Sequence, residues 1–287
     1  MPELPEVETT CRGLAPTVTG ARILRVTVRE RRMRWPLVSG FEALLAGRRI
    51  KRIHRRAKYV LLEMADRTLM IHLGMSGSLR IVAGETPPRL HDHVDLVLDS
   101  GDCVRFNDPR RFGSLHVVQG NIEAHPLLAP LGPEPLSADF DGATLQRATR
   151  GRRVAIKPLL MNAKIVVGVG NIYASEALFH ARVHPWKLAG RLSVEETERI
   201  ASAIKAVLEA AIRVGGTTLR DYVNAEGNPG YFRQKLYVYE RTDQACLVCD
   251  APISHRVQGQ RSTYWCPQCQ PGRTPRTARR SRRGAAQ

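Results

Sequence analysis

Leu131-Gly132-Pro133-Glu134-Pro135 holds two prolines and a glycine in five residues, and the texture of the chain changes across it. Proline removes a backbone donor and glycine weakens regular structure, so such a run reads as a linker between domains. Upstream the pattern is one of short β-rich segments. Ile23-Leu24-Arg25-Val26-Thr27-Val28, Tyr59-Val60-Leu61-Leu62-Glu63-Met64 and Val94-Asp95-Leu96-Val97-Leu98 are set off by turn residues such as Ser100-Gly101-Asp102. Many short strands with turns predict a sandwich or barrel-like β domain, led by a short helix over Glu6 to Leu14 with Pro5 in its first turn. Downstream the pattern is helical. Ser193-Val194-Glu195-Glu196 is a capping box, and Ile200, Ile204, Val207, Leu208 and Ala211 then recur at helical spacing as a core-facing stripe that ends at Gly215-Gly216. The fold class is α+β, with the β part first.

A chain of 287 residues is long enough for two domains with sizeable cores. Lys and Arg number 44 against 27 Asp and Glu, a formal charge of +17 that draws in polyanions such as nucleic acid. Charge alone leaves open a ribosome-associated or merely basic protein. No stretch approaches the length of apolar residues that a membrane span needs, and the N-terminal residues lack a charged segment followed by an apolar core. Four of the six cysteines form a paired cluster, while Cys11 and Cys103 stand apart, which is not the pattern of a disulfide framework. A reducing, cytosolic location is expected.

The clustered cysteines are Cys246-x2-Cys249 and Cys266-x2-Cys269, sixteen residues apart. Each pair can place two sulfurs on one tetrahedral ion, and four thiolates leave no open position for water. One structural Zn2+ is therefore expected, in preference to a redox dithiol or an iron–sulfur centre. His255, inside the intervening hairpin, reads as a surface residue. Arg261 on the same hairpin is placed to clamp a phosphate, or is simply a solvated charge.

The other end of the chain suggests covalent chemistry. An initiator Met before a small residue is normally removed, which makes Pro2 a secondary amine at the chain terminus. An α-amino group has a pKa of about 7.7–8.0, so much of it is neutral near pH 7 and can attack a sugar C1′. Glu3 beside it is a candidate acid, and Lys58 in the basic run Arg55-Arg56-Ala57-Lys58-Tyr59 a candidate acid, base or phosphate ligand. Two turns, His72-Leu73-Gly74-Met75-Ser76-Gly77-Ser78-Leu79 and Asn107-Asp108-Pro109-Arg110-Arg111-Phe112-Gly113, offer Met75 and Phe112 as apolar wedges, with Arg110 facing an orphaned base. Gly168-Val169-Gly170-Asn171 precedes a helix that Asn171 could cap, with its first N–H groups open to a DNA phosphate. Taken singly, each of these residues also has an ordinary reading in a core or on a solvated surface.

Together they resemble the bacterial formamidopyrimidine-DNA glycosylases. The matching segments are Pro2-Glu3-Leu4-Pro5-Glu6-Val7-Glu8-Thr9, the Lys58 run, the Met75 turn, His91-Asp92-His93-Val94-Asp95-Leu96, Asp108 to Gly113, Gly168 to Glu176 and the four cysteines. The resemblance implies a β-sandwich with a leading helix over 1–133, a helix–two-turn–helix domain over 134–238, a zinc ribbon over 239–270, and a basic disordered tail over 271–287. It implies a bifunctional enzyme that excises oxidised purines from double-stranded DNA and cleaves the abasic strand by β,δ-elimination. Pro2 would be the Schiff-base nucleophile and Glu3 the general acid, with Lys58 and Arg261 serving in elimination. Met75, Arg110 and Phe112 would fill the void, and His91, Arg111, Arg152 and Asn171 would contact the DNA backbone. Residues Thr217 to Tyr231 resemble the segment that folds over the extruded base. A monomer in the bacterial cytoplasm, associated with the nucleoid, is expected. An endonuclease VIII-type enzyme and a non-catalytic DNA-binding protein on the same fold are the rival readings. The six arginines of the tail lie outside the resemblance and would add non-specific DNA affinity.

Overall fold

Short β-rich runs separated by turns pair into two four-stranded antiparallel sheets in the N-terminal half. The computed structural model of the chain describes residues 2–215 and 236–274. A first helix, α1 (Leu4–Val18), runs about a turn longer than expected at its C-terminal end, through Pro16, and leads into β1 (Ile23–Val28). A short helix, α2 (Phe41–Leu45), precedes β2 (Arg52–Arg56), β3 (Tyr59–Glu63) and β4 (Arg67–His72). The remaining strands of this half are β5 (Ser78–Ala83), β6 (Asp92–Leu98), β7 (Asp102–Asn107) and β8 (Ser114–Gln119). One sheet has the order β1-β6-β7-β5 and the other β2-β3-β4-β8. Their inner faces share one core with α1, including Val7, Leu14, Ile23, Phe41, Val60, Leu69, Leu96 and Phe106. This is the expected sandwich.

Beyond the proline-rich linker lie α3 (Gly142–Thr149), α4 (Ile156–Leu160), α5 (Asn171–His180) and α6 (Val194–Arg213). The expected Ser193 capping box forms, with Ser193 Oγ accepting from Glu196 N and Glu196 returning a bond to Ser193 N. The stripe from Ile200 to Ala211 is buried in a second core, and Leu4 from the start of α1 belongs to that core too. No helix among the described residues is long and apolar enough to cross a membrane. A two-stranded hairpin, β9 (Ser254–Gln258) and β10 (Arg261–Trp265), carries the cysteine module.

Leu236-Tyr237-Val238-Tyr239 has the composition of a strand but forms a bend instead. The Glu176 carboxylate of α5 accepts the N–H groups of Tyr237, Val238 and Tyr239 at 2.8, 2.9 and 2.9 Å. Three successive donors aimed at one anion curve the backbone away from sheet pairing. The base-covering segment expected over 217–231 and the tail beyond residue 274 lie outside the described residues.

Candidate active site

The linker does more than join the two halves. Arg55 Nη1, Arg56 Nη1 and the Ala57 N–H all donate to the Glu134 carboxylate, at 2.7, 3.0 and 2.7 Å. Ala57 lies in the left-handed region at φ 54° and makes the tight turn between β2 and β3. Lys58 therefore stands at the tip of a hairpin that Glu134 holds against the helical half.

Opposite that tip is the start of α1. Pro2 is buried, and Glu3 caps the helix with its N–H donated to Glu6 Oε2 at 2.8 Å. Tyr173 on α5 holds the other Glu6 oxygen at 2.7 Å. The Glu3 carboxylate crosses to the helical half and accepts Gly170 N–H at 2.8 Å and Ile172 N–H at 3.2 Å. Burial pushes the Glu3 carboxyl above its ordinary range, with Lys58 pulling down and Glu6 adding to the rise. Burial likewise pushes Lys58 below the usual lysine range, Glu3 and Glu6 opposing the shift and Arg261 adding to it.

The glycine turn before α5 thus has a different use from the one its sequence suggests. The helix start receives the Glu3 carboxyl on the Gly170 and Ile172 N–H groups. Gly170, and not Asn171, is the capping residue. A Cβ on Gly170 would stand 2.5 Å from Glu3 Oε2, and one on Gly168 would stand 2.5 Å from Leu4 Cδ1. The two glycines are the condition for α1 to dock here.

Asn171 is the first residue of α5 and ties the helix to the cysteine hairpin. Its Nδ2 donates to Ser262 O at 3.0 Å, and its Oδ1 accepts from Lys157 Nζ at 2.7 Å. Lys157 is buried on α4 and also donates to Ser262 O at 2.9 Å and Thr263 Oγ1 at 2.8 Å. Burial lowers its ammonium to about 7, with Glu3 opposing and Arg261 reinforcing the shift. Arg261 itself is exposed at the head of β10 and lines a cavity of about 200 Å3 with Lys157, Met161 and Gln258. Glu3, Lys58 and Arg261 thus lie within electrostatic reach of one another, and Asn171 bonds the hairpin that bears Arg261.

Cys246, Cys249, Cys266 and Cys269 place their sulfurs within 4.8 Å of one another, with neighbouring separations of 3.4, 3.5 and 3.9 Å. A tetrahedral ion with sulfurs at about 2.3 Å requires edges of about 3.8 Å, so the set fits zinc. His255 lies outside it, exposed and stacked on Tyr264 at 4.8 Å. Cys11 and Cys103 are buried, and burial pushes their thiols up to about 12 and about 11, as befits core residues.

The two expected wedges are exposed, Met75 at 38% and Phe112 at 43%, which large apolar side chains avoid without a partner. The Arg110 guanidinium lies 4.8 Å over the Phe112 ring. Asp108, fully buried, organises this region. It accepts Gly113 N–H at 2.7 Å, Ser76 Oγ at 3.2 Å and Arg110 N–H at 3.3 Å, and its own N–H donates to His91 O. Three turns carrying Met75, His91 and Phe112 are joined through this residue. Arg111 instead pairs with Glu30 at 3.1 Å. Arg152 is exposed after α3 with its Nε donated to Ala148 O, and none of the bonds that build the Glu3 cluster involves it.

Asp108, Glu134, Lys157 and Glu176 do not stand out as site residues in the sequence. Two of them carry a usable signal. Lys157 in Ala155-Ile156-Lys157-Pro158-Leu159-Leu160 and Glu176 in the run Ala174 to Phe179 are single charges inside apolar segments, and a buried charge needs partners. His72 is a further addition from the structure. It accepts Gly74 N–H at 3.0 Å and tilts against Tyr59, and burial together with nearby Lys58 lowers its imidazole to about 4.

Comparison with known proteins draws the same outline. The chain matches the formamidopyrimidine-DNA glycosylase N-terminal domain over residues 1–115, the H2TH domain of that enzyme over 131–223, and a zinc finger found in FPG and IleRS over 243–272. It is 56% identical over 270 residues to the formamidopyrimidine-DNA glycosylase of Thioalkalivibrio sulfidiphilus, covering 94% of this chain and all of that one. The Methylococcus capsulatus enzyme is 54% identical over the same span. Among solved structures, the MutM (Fpg) protein of Thermus thermophilus superposes with a TM-score of 0.84 at 40% identity, covering 94% of this chain and 98% of that one. Lactococcus lactis Fpg, solved with DNA containing an abasic site, gives 0.85 at 31% identity over 94% of this chain and all of its own. Identity of this depth spans the glycine turn, the linker and the cysteine hairpin alike, and the chain belongs to the formamidopyrimidine-DNA glycosylase family.

Proposed function

We propose that the protein is a bifunctional DNA glycosylase and abasic-site lyase that removes oxidised purines, 8-oxoguanine and formamidopyrimidines, in base excision repair. The observation that carries this reading is the placement of a buried carboxyl, Glu3, raised above its ordinary range, between Pro2 and the start of α5, with Lys58 across from it. Lactococcus lactis Fpg has been solved with DNA containing Fapy-dG and with abasic-site DNA, which supports the same substrate class here. Double-stranded DNA in the cleft between the two halves, with the protein working in the cytoplasm on the nucleoid, fits the charge of +17.

On this reading the neutral Pro2 amine attacks C1′ of the damaged nucleotide. The glycosidic bond breaks, and the base leaves with the bonding pair and takes up a proton. Burial disfavours the charged form of Glu3 and raises its carboxyl above the ordinary range, which favours donation of a proton to the ring oxygen to open the sugar. A secondary amine gives a cationic iminium, which acidifies the C2′ hydrogens. Loss of one of them expels the 3′-phosphate, and a further elimination expels the 5′-phosphate. Lys58, held below its usual range, can exchange protons in these steps, and Arg261 presents a fixed cation to a departing phosphate. The four cysteines hold a structural zinc that braces the hairpin bearing Arg261; with its four positions filled it supplies no activated water.

Borohydride trapping on a duplex holding 8-oxoguanine opposite cytosine tests this. A reduction-dependent adduct that vanishes in Pro2→Gly, together with phosphate on both cleaved ends, is the expected result. Tight binding without an adduct, once mass spectrometry confirms a free Pro2, refutes the imine chemistry. An adduct with oxidised pyrimidines alone refutes the lesion class.

A further inference from the structure

A cavity of about 450 Å3 opens beside the wedge and is not used by the chemistry above. Its lining includes Ser76, Ser78, Arg80, Arg89, Asn107 and Arg110. Arg80 is only 6% exposed, and its Nε has no hydrogen-bond partner among the described residues. Its Nη2 pairs with Asp92, whose carboxylate also faces Arg105 at 3.6 Å and accepts Asn107 Nδ2 at 2.8 Å and the Arg89 N–H at 2.7 Å. Asp95 in turn is shared by Arg105 and Arg29. Three guanidinium groups thus meet two carboxylates behind the cavity, and Arg89 and Arg110 add two more cations at its wall. An unmatched guanidinium donor in a buried position is costly unless an anion reaches it. Serine hydroxyls, an amide and a guanidinium fork in a pocket of this size suit a phosphate.

We propose that this cavity is a phosphate site, and that the phosphate is a diester of the DNA strand facing the lesion. The second half of the inference rests on the glycosylase reading. It follows from which sheet carries what. Lys58 and His72 belong to the sheet β2-β3-β4-β8, whereas Ser78, Arg80 and Asn107 belong to β5 and β7 of the other sheet. Arg110, stacked on Phe112, lies on the connection from β7 of one sheet to β8 of the other. A duplex parted by that wedge sends its damaged nucleotide toward Pro2 and leaves its undamaged strand on the cavity side. Arg80, Arg89 and Ser78 would then fix the register of the intact strand while Arg110 meets the orphaned base.

The test uses the full-length protein and lesion duplexes in which each phosphate of either strand is replaced, one at a time, by a neutral methylphosphonate. Affinity is read by fluorescence anisotropy at fixed salt, for the wild type and for Arg89→Ala and Arg80→Lys, the latter keeping a cation against Asp92. One position is expected at which neutralisation weakens the wild type about fivefold to tenfold, with both variants indifferent there while still sensitive on the damaged strand. A flat profile along the undamaged strand overturns the proposal, as does a variant that loses affinity equally at every position. Inorganic phosphate is titrated in parallel without DNA. Stabilisation of the wild type but not of Arg89→Ala, joined to a flat strand profile, assigns the pocket to free phosphate and overturns the strand assignment. Borohydride adducts from the same duplexes report the glycosylase reading separately. A wild-type adduct with a flat profile sinks the pocket alone, whereas a position-specific profile without any adduct sinks the chemistry alone.

Discussion

Gly170→Ala is the smallest change that should separate catalysis from folding in this protein. Gly170 has φ −115°, a value any residue adopts, so the substitution brings no backbone strain. What it brings is a methyl group 2.5 Å from Glu3 Oε2, and ordinary contact begins near 3.4 Å. The carboxyl must retreat by about 1 Å, which breaks its bonds to Gly170 and Ile172 and moves it away from Pro2. Overpacking of this kind costs about 1–3 kcal/mol, or a fall in melting temperature of about 2–10 °C for a chain of this size. Displacing a catalytic group by about 1 Å costs on the order of 100-fold in rate. Single-turnover excision of 8-oxoguanine should therefore fall about 100-fold at a temperature where circular dichroism shows the variant fully folded. Wild-type excision kinetics in a folded Gly170→Ala protein would refute the assignment of Glu3 as the proton donor held by α5.

Glu3→Gln should abolish excision and yet stabilise the fold near neutral pH. The folded carboxyl titrates above its unfolded value, so its favourable contribution is complete below the unfolded pKa and is lost as pH rises through the folded one. Melting curves of wild type and variant should diverge in the variant's favour as pH rises across that window, and curves that stay parallel would contradict it. Zinc removal by a chelator, or Cys249→Ser, should release the hairpin, free Asn171 and Lys157 from Ser262 and Thr263, and cost lesion binding together with metal content measured by atomic absorption. Asp108→Ala should leave the sandwich folded but loosen the turns bearing Met75 and Phe112, weakening lesion-duplex affinity about tenfold or more by anisotropy. Truncation after Gln270 removes six arginines, and the slope of log affinity against log salt should flatten; an unchanged slope would exclude the tail from binding.

The order of the fold is legible because its signals are local. The β-rich run Ile23–Val28, the Ser193 capping box and the cysteine spacing each depend on a few neighbouring residues, and each forms where the sequence puts it. Met75 and Phe112 are legible for a related reason, since an apolar residue at a glycine-bearing turn has little local company. What stays hidden is long-range. Nothing near Glu134 in sequence says that Arg55, Arg56 and the Ala57 N–H will converge on it from nearly 80 residues away. Leu236 to Tyr239 fails to form a strand for the same reason. Its β-rich composition is outweighed by one carboxylate, Glu176, some 60 residues upstream.

The glycine turn shows how a motif can take an occupant from its own chain. Gly168-Val169-Gly170 reads as a cradle for an external anion at a helix N-terminus, and a helix N-terminus with an anion is what forms. The anion comes from 167 residues away in the same chain. This substitution has a consequence for how the site assembles. Glu3 reaches its position only if α1 docks on α5, and Lys58 reaches its own only if the β2–β3 hairpin docks on Glu134. Each contact crosses between the two halves, so the shifted ionisation of Glu3 and Lys58 is a property of the joined halves and of neither alone. A sandwich half folded by itself would expose Glu3 to water, return its carboxyl toward the ordinary range and leave Pro2 without a buried acid. The site is therefore armed by the same contacts that hold the two halves together, and loosening either contact should disarm it before it unfolds the protein.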